Sequence, residues 1–246
     1  MSKGRTRNAP KPKQRRAVVL VFGEHDHDRR AIRHLAEGLR PDLAGKVEVR
    51  RQPLVLIKGA TRAKARSNAE RISELVKSES AARDVLAVLA HQDCDAVEPA
   101  HIAAAERIEN ELTAAKCSAY PIGVTPAWEI EAWWLLFPEA VGRVVKGWRD
   151  PDDWIGRDIG KVENAKETLA RAVQPRPLPA SPPRDYAEED SIAIASNIAA
   201  HDLLRSFRDG ARATPAANGT IRRTRSASFE AFRSKVAKIP ARLSRG

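Results

Sequence analysis

Five acidic residues follow apolar runs of the chain and are spaced so that they could share one site. They are Glu24, Asp93, Asp95, Glu129 and Glu131. The apolar runs that precede them are 17–22, 84–90 and 118–124. Carboxylates, together with waters and substrate phosphates, are the ligands that Mg²⁺ and Mn²⁺ prefer. The pattern therefore indicates a site for a hard divalent cation.

The elements that must position these acids alternate between strand and helix. Strands are predicted over the three apolar runs, with one or two short strands in 47–57, and helices over 29–39, 63–76 and 99–116. This alternation predicts an α/β fold with a mostly parallel sheet flanked by helices. Ligand sites in such sheets lie outside the carboxyl ends of the strands, where all five acids would fall.

The pattern changes after residue 125. Helices are predicted over 129–137 and 161–173, an extended linker over the proline-rich segment 175–183, and helix from 191 onward with a break at 210–219. Trp133 and Trp134 could stack on bases of a single strand, but their helical spacing with Ile130 and Phe137 favours a place in the core.

Local geometry makes different predictions for the two acid pairs. In an extended segment, Asp93 and Asp95 would point the same way and Cys94 the other. On a helix, Glu129 and Glu131 would point apart, so either that turn is not helical or only one of them reaches the site. Each acid taken singly could instead cap the helix that follows it.

The histidines provide a rival interpretation. The segment 25–28 (HDHD), together with His91 and Asp93, could form an imidazole–carboxylate site for Zn²⁺, Mn²⁺ or Fe²⁺. No standard zinc motif supports it, and we favour positions at the surface or in contact with the metal ligands for these histidines. Two cysteines are too few for a disulfide framework.

Charge favours a polyanionic partner. The net charge is +11, and basic residues crowd both ends of the chain. The residues predicted to contact nucleic acid are Arg15, Arg16, Arg222, Arg223 and Arg225. The sequence has no apolar stretch long enough for a membrane span and no signal peptide, which predicts a cytoplasmic protein. Walker, dinucleotide-binding and serine-hydrolase motifs are absent from the sequence.

A strand is followed by Glu24, Asp28 and a helix, and a later buried strand is followed by Asp93-x-Asp95. The order of these features resembles the Toprim fold of topoisomerases, primases and OLD-type nucleases. The likeness covers about residues 17–237. It continues through 129–134 (EIEAWW), 164–169 (NAKETL) and 228–232 (SFEAF). These segments resemble a bacterial Toprim-like family of unknown function, related to the OLD-type and RloB-like nucleases of phage-defence loci.

The resemblance implies a Toprim-like, Rossmann-like core over 17–137. A basic disordered tail over 1–16 would precede it, and a mainly helical extension over 138–246 would follow. It also implies a nuclease that hydrolyses phosphodiester bonds of DNA or RNA with Mg²⁺ or Mn²⁺. Such a nuclease would act in anti-phage defence with an ATPase partner. Whether the chain forms a homodimer is left open.

The same resemblance implies roles for particular residues. The metal ligands would be Glu24, Asp93, Asp95 and Glu129 or Glu131, and Lys166 would balance charge on the scissile phosphate. The family has glycine after its first glutamate, whereas this chain has His25, so Asp26 or Asp28 is the alternative to Glu24. The alternative function is a non-catalytic nucleic-acid-binding or adaptor subunit that retains the fold.

Overall fold

A computed structural model describes residues 15–52, 54–215 and 219–241. Its strands are β1 Ala17–Phe22, β2 Val47–Val49, β3 Asp84–His91, β4 Tyr120–Val124, β5 Phe207–Arg208, β6 Ala211–Pro215 and β7 Ile221–Arg225. Its helices are α1 Asp26–Leu39, α2 Arg62–Glu79, α3 His101–Ala114, α4 Glu131–Trp134, α5 Pro138–Gly142, α6 Ala165–Ala172, α7 Asp190–Ala200 and α8 Ala227–Ala237. None of these helices combines the length and apolar composition needed to cross a bilayer.

The first four strands form one sheet in the order β2-β1-β3-β4, and every pairing is parallel. Alternate residues of β1 serve two separate cores because successive side chains of a strand point to opposite faces. Val19 and Val21 pack on one face, and Val18, Leu20 and Phe22 pack on the other. The predicted mixed α/β class with a parallel sheet is confirmed, and this arrangement is compatible with a Rossmann-like fold.

Helices cover both faces of the parallel sheet. The core on one face contains α1 together with apolar residues of α4 to α8, and the core on the other face contains α2 and α3. Trp133 and Trp134 are fully buried, and Trp133 packs against Phe229 and Phe232 of α8. The prediction that these tryptophans belong to the core is confirmed.

Several predicted bounds differ from the structure. The helix predicted over 129–137 is confined to α4, because Phe137 has a non-helical backbone (φ −129°, ψ 59°) and Pro138 begins a new helix. α1 begins at Asp26 rather than at residue 29, with Asp26 and Asp28 in its first turn, where acids complement the helix dipole. Within 47–57, the only described strand is β2.

The C-terminal region is not purely helical. Between α7 and α8, the strands β5, β6 and β7 form a three-stranded antiparallel sheet. Arg212 of β6 is buried opposite Thr224 of β7, and its guanidinium binds the carboxylate of Glu139 and the Leu136 carbonyl. A strand with one buried face is predicted from alternating apolar residues, but here a paired arginine occupies a buried position. The sequence therefore did not predict these strands.

Candidate functional site

The carboxyl ends of β1 and β3 lie side by side at the point where the chain reverses its path through the sheet. The helix after β1 packs on one face, whereas the helix after β3 packs on the other. Ligands of open α/β sheets bind at such a switch point. Asp28 lies in the first turn of α1, Asp93 two residues beyond β3, and Glu131 at the first residue of α4. We call these three residues the acid cluster.

His91, the last residue of β3, connects the two aspartates of the acid cluster. Its Nε2 lies 3.4 Å from Oδ1 of Asp93, and its Nδ1 lies 3.9 Å from Oδ2 of Asp28. The imidazole is completely enclosed, with 1% of the residue exposed. Gly23 allows this packing, because a Cβ at that position would come within 3.2 Å of both the Cβ of His91 and the Cγ of Arg29.

Glu131 is fixed by a chain of hydroxyl groups from the segment before and within α7. The Tyr186 hydroxyl donates to Oε1 of Glu131 at 2.9 Å and lies 2.7 Å from the Ser191 hydroxyl. The indole nitrogen of Trp134 donates to the same serine oxygen at 3.0 Å. Only one oxygen of Glu131 is therefore engaged by the tyrosine.

The carboxylates of the acid cluster influence one another strongly. Burial raises the pKa of Glu131 to about 8, and the charges of Asp93 and Asp28 add to the rise. Burial also raises the pKa of Asp28, with a further contribution from Asp93. Among the described residues, no arginine or lysine forms an ion pair with any of the three. Carboxylates in such surroundings ionise together only when a cation joins them.

The pKa of His91 responds to the same carboxylates. Burial alone would lower the pKa of His91, but the charges of Asp93, Asp28 and Glu131 outweigh burial and raise it. Burial pushes the pKa of Asp93 upward, yet the contact with His91 dominates and the pKa of Asp93 is lowered. The pKa of His91 and the pKa of Asp93 thus shift in opposite directions, as expected for an imidazole and a carboxylate that stabilise each other's charged form.

The second aspartate of the Asp93-x-Asp95 motif turns away from the acid cluster. β3 ends at His91, and Asp95 has a left-handed backbone (φ 51°), so the extended geometry predicted for this segment is wrong. The exposed carboxylate of Asp95 pairs with Nζ of Lys58 at 3.0 Å. Cys94 lines the same cavity as both aspartates rather than pointing away from them.

Glu24, the first acid of the sequence pattern, lies at the rim of the site. Its side chain is 40% exposed, and its nearest ionic neighbour is His25, with 3.9 Å between Oε1 and Nε2. Asp28 occupies the buried position next to His91 instead. Asp26 is exposed and pairs with Arg29 and Arg30, so Asp28 is the one of the two alternatives that reaches the acid cluster.

Both Glu129 and Glu131 approach the site, because residue 129 precedes the first turn of α4. An oxygen of Glu129 accepts the backbone N–H of Lys166 at 3.1 Å, which joins it to the start of α6. Burial raises the pKa of Glu129, and Asp93 adds to the rise. The Lys166 ammonium pairs with Glu188, whose other oxygen lies 3.4 Å from Nε2 of His27.

The arginines predicted to bind nucleic acid do not converge on the acid cluster. Arg15 and Arg16 precede β1 at the amino edge of the sheet, where they donate to the carbonyls of Ser80 and Gly45. The other three, Arg222, Arg223 and Arg225, are exposed on β7 of the antiparallel sheet. The predicted tail residues 1–14 lie outside the described residues.

Several residues of the site escaped sequence analysis. Tyr186 and Glu188 belong to an irregular stretch after the proline-rich segment and reach the site because α7 packs on α1. Lys58 belongs to a loop held by Gln92, whose side-chain oxygen accepts the backbone N–H of Leu56 at 2.8 Å. The only feature of the sequence that could have indicated these residues was the acidic run 188–190, and its position along the chain follows no motif shared with the other acids.

The chemistry of the donors fits a hard cation. The acid cluster offers carboxylate oxygens, and Oδ1 of Asp93 is buried without a hydrogen-bond partner in the part of the chain that the structure describes. Across those same residues, no group of three or more His, Cys, Asp or Glu side chains is arranged as a ready-made metal centre. Mg²⁺ does not need such a cage, since it usually keeps several waters and binds one or two carboxylates.

No protein-family model, curated protein or solved structure matches this chain. The functional assignment therefore depends on the geometry of the site.

Proposed function

We propose that this protein is a divalent-metal-dependent phosphodiester hydrolase, a nuclease of the Toprim-like class that uses Mg²⁺ or Mn²⁺. The observation that supports the proposal most is the acid cluster. Three carboxylates from different segments of the chain lie at the switch point of a parallel sheet without an arginine or lysine partner among the described residues. Structural carboxylates in such a buried position are normally paired.

The acid cluster would hold the cation, with Glu129 as a further oxygen ligand. A bound divalent cation supplies Lewis-acid activation of a water and stabilisation of the leaving oxygen. Tyr186 orients Glu131 by donating to one of its oxygens, which leaves the other without that bond. His91 restrains Asp28 and Asp93, because its ring nitrogens lie 3.9 and 3.4 Å from their carboxylate oxygens.

Cations at the rim would bind the phosphate of the substrate. Lys58 lies beside Asp95 on one side of the site, and Lys166 lies beside Glu188 on the other. The side chains of Lys58 and Lys166 are 42% and 41% exposed, so both remain accessible to a polyanion. Asp95 and Glu24 thus act at the rim in this proposal rather than as primary ligands.

Cleavage assays test the proposal directly. We expect the wild-type protein with Mn²⁺ or Mg²⁺ to cleave plasmid DNA, single-stranded DNA or RNA, and we expect D93N to lose at least ~100-fold of that rate, because a metal ligand is removed. Glu74→Gln, which changes an exposed acid of α2, is the matched control and should cleave as wild type. Equal rates for wild type and D93N on all substrates would reject the proposal.

A second candidate function is a nucleic-acid-binding or adaptor subunit without catalysis. The buried His91 side chain favours it, because its two ring nitrogens already face carboxylate oxygens of Asp28 and Asp93 at 3.9 and 3.4 Å. In that case nucleic acid binds with equal affinity with or without divalent metal, and D93N changes neither binding nor cleavage. Metal-dependent cleavage that D93N abolishes excludes this alternative.

A further inference from the structure

A cavity separate from the acid cluster lies beside α6. Its volume is about 360 Å³, and it is lined by residues of α6 and of the segment 153–157, together with Arg176. Among the described residues that line it, three are arginines, Arg157, Arg171 and Arg176, and Asp153 is an acid. Trp154 also lines the cavity. We call Trp154 and the three arginines the basic pocket.

Asp153 leaves the excess of positive charge in place, because its carboxylate is already paired. It is bound by the guanidinium of Arg149, which lies outside the basic pocket, and it is 3.7 Å from Nη1 of Arg176. The hydrogen bond from Arg149 lowers the pKa of Asp153, and the charges of Arg149, Arg176 and Arg157 lower it further. A carboxyl whose pKa is lowered in this way lies in a region of positive potential.

Two of the three arginines, Arg157 and Arg171, form no ion pair with the described residues. The guanidinium of Arg157 lies over the ring of Trp154, 5.2 Å from its centroid. The Nε of Arg171 donates to the backbone carbonyl of Glu167 at 3.2 Å. Both arginines are exposed. Their guanidinium groups are therefore available to phosphate oxygens, which arginine binds through paired hydrogen bonds.

Trp154 gives the basic pocket an aromatic surface. It ends the short 3-10 turn Asp152–Trp154 and is half-buried, with part of its ring packed against the core that contains the apolar residues of α6. The core thus fixes the ring while another part of it faces the cavity. A fixed aromatic ring beside guanidinium groups suits a single strand of nucleic acid, whose bases stack on the ring and whose phosphates bind the arginines.

Two of the arginines of β7 border the basic pocket. The backbone N–H of Arg225 donates to the carbonyl of Arg157 at 2.9 Å. A Cβ at Gly156 would lie 3.2 Å from the Cβ of Arg222, so that side chain packs beside the same segment. Both β7 arginines are exposed, whereas the carboxylate of Asp158 accepts a backbone N–H of its own turn at 3.2 Å. The excess of arginine over acid therefore continues from the cavity along β7.

We propose that the basic pocket and the adjoining arginines of β7 bind a single strand of nucleic acid. A base would stack on Trp154, and Arg157 and Arg171 would bind the phosphates beside it. α6 connects this surface to the candidate site, since Lys166 at its start donates to Glu129 and Arg171 lies about 7.5 Å farther along the helix axis. The proposal rests on the proposed nuclease function only in making this strand the substrate, because binding itself does not require cleavage.

Binding measured without divalent metal separates the basic pocket from the cleavage reaction. The probe is a fluorescein-labelled single-stranded DNA of 20 nucleotides, and anisotropy is recorded in EDTA over a range of salt concentrations. We expect R157Q/R171Q to weaken binding at least ~10-fold and to lower the dependence of log K on log salt by about 1.4, because two phosphate contacts are lost. The matched control R62Q/R71Q removes the same charge from exposed positions of α2, on the opposite face of the sheet, and should change affinity less than ~3-fold.

Variants of Trp154 test the stacked base. Trp154→Leu keeps an apolar side chain for the core but cannot stack, so it should weaken binding at least ~5-fold. Its salt dependence should equal that of wild type, because no charge is removed. Trp154→Phe keeps a ring and should bind within ~3-fold of wild type. Thermal unfolding of each variant shows whether the fold is intact, and R157Q/R171Q, at exposed positions, remains a test if Trp154→Leu does not fold.

The outcomes distinguish this proposal from the nuclease proposal. Equal affinities of R157Q/R171Q and R62Q/R71Q would reject the basic pocket, because overall charge would then explain the binding. Binding by Trp154→Leu as tight as wild type would overturn the stacked base. Lost binding in R157Q/R171Q, with no cleavage by wild type in Mn²⁺, would support the basic pocket and reject the nuclease. Unchanged binding in R157Q/R171Q together with metal-dependent cleavage would support the nuclease and reject the basic pocket.

Discussion

Two clusters of charged residues in this protein balance the charge of neighbouring carboxylates differently. Beside the edge strand β2, Glu48 and Glu79 are surrounded by Arg50 and Arg83, in what we call the arginine network. Arg83 lies 2.7 Å from Glu48 and also pairs with Glu79, which in turn pairs with Arg50. Each carboxylate of this network faces at least one permanent cation, and the network is electrostatically complete without a ligand.

The acid cluster has the opposite composition. Asp28, Asp93 and Glu131 face two imidazoles, those of His27 and His91, and one tyrosine hydroxyl. Burial raises the pKa of Glu131 to about 8, and the charges of the two aspartates contribute to the rise. Carboxylates that arginine neutralises thus need no ligand, whereas the acid cluster retains the unbalanced negative charge on which the proposed cation site rests.

The largest effect that separates the two clusters concerns catalysis. D93N should lose at least ~100-fold of metal-dependent cleavage, whereas Glu79→Gln in the arginine network should retain the wild-type rate. A comparable loss of cleavage in both variants would show that D93N lowers the rate by disturbing the fold and not by removing a metal ligand.

The next effect is the pH dependence of stability in the metal-free protein. Glu131 has a pKa of about 8 in the folded chain against 4.5 for an ordinary glutamate, so the unfolded chain releases its proton first as pH rises. Stability should therefore fall between about pH 4.5 and pH 8, by up to roughly 1.4 kcal/mol per pH unit for one group. The raised pKa values of Asp28 and His91 act in the same direction.

Urea unfolding at pH 5, 6, 7 and 8 in EDTA measures this slope. E131Q keeps an acceptor for Tyr186 but cannot ionise, so its stability should fall less steeply with pH than that of wild type. Glu79→Gln should leave the slope unchanged. Parallel curves for wild type and E131Q would contradict the assignment of the raised pKa to Glu131.

The smallest effect is the stability of the arginine network itself. Glu79→Gln should lower the free energy of unfolding by about 1 kcal/mol, because its ion pairs are partly exposed and screened by solvent. Urea unfolding at pH 7 in low and high salt measures it, and the difference should shrink at high salt. A loss that salt does not reduce would mean that packing, not charge, sets the contribution of Glu79.

Sequence patterns were sufficient to predict the parallel sheet and the segments that carry the acids. Apolar runs bounded by turns locate β1, β3 and β4, and the strand–helix alternation predicts their parallel arrangement. Local patterns could not show that Asp28, rather than Glu24, lies beside His91, because that depends on α1 beginning three residues earlier than its apolar periodicity indicates.

Other parts of the site depend on long-range packing. Tyr186 reaches Glu131 across 55 residues of chain because α7 packs on α1, and no local spacing records that contact. The left-handed conformation of Asp95 replaced an expected extended segment, since aspartate tolerates that region after a strand end. The antiparallel sheet was missed because charged residues occupy most positions of β7.

Calorimetric titration with Mn²⁺ tests most directly whether the acid cluster is a cation site. Wild-type protein at pH 7.5 should bind Mn²⁺ with release of protons, because burial raises the pKa of Glu131 to about 8 and cation binding requires its deprotonated form. The D28N/D93N variant should lose this binding, and Glu74→Gln should retain it. Unchanged Mn²⁺ binding in D28N/D93N, or no binding in wild type, would contradict the cation site.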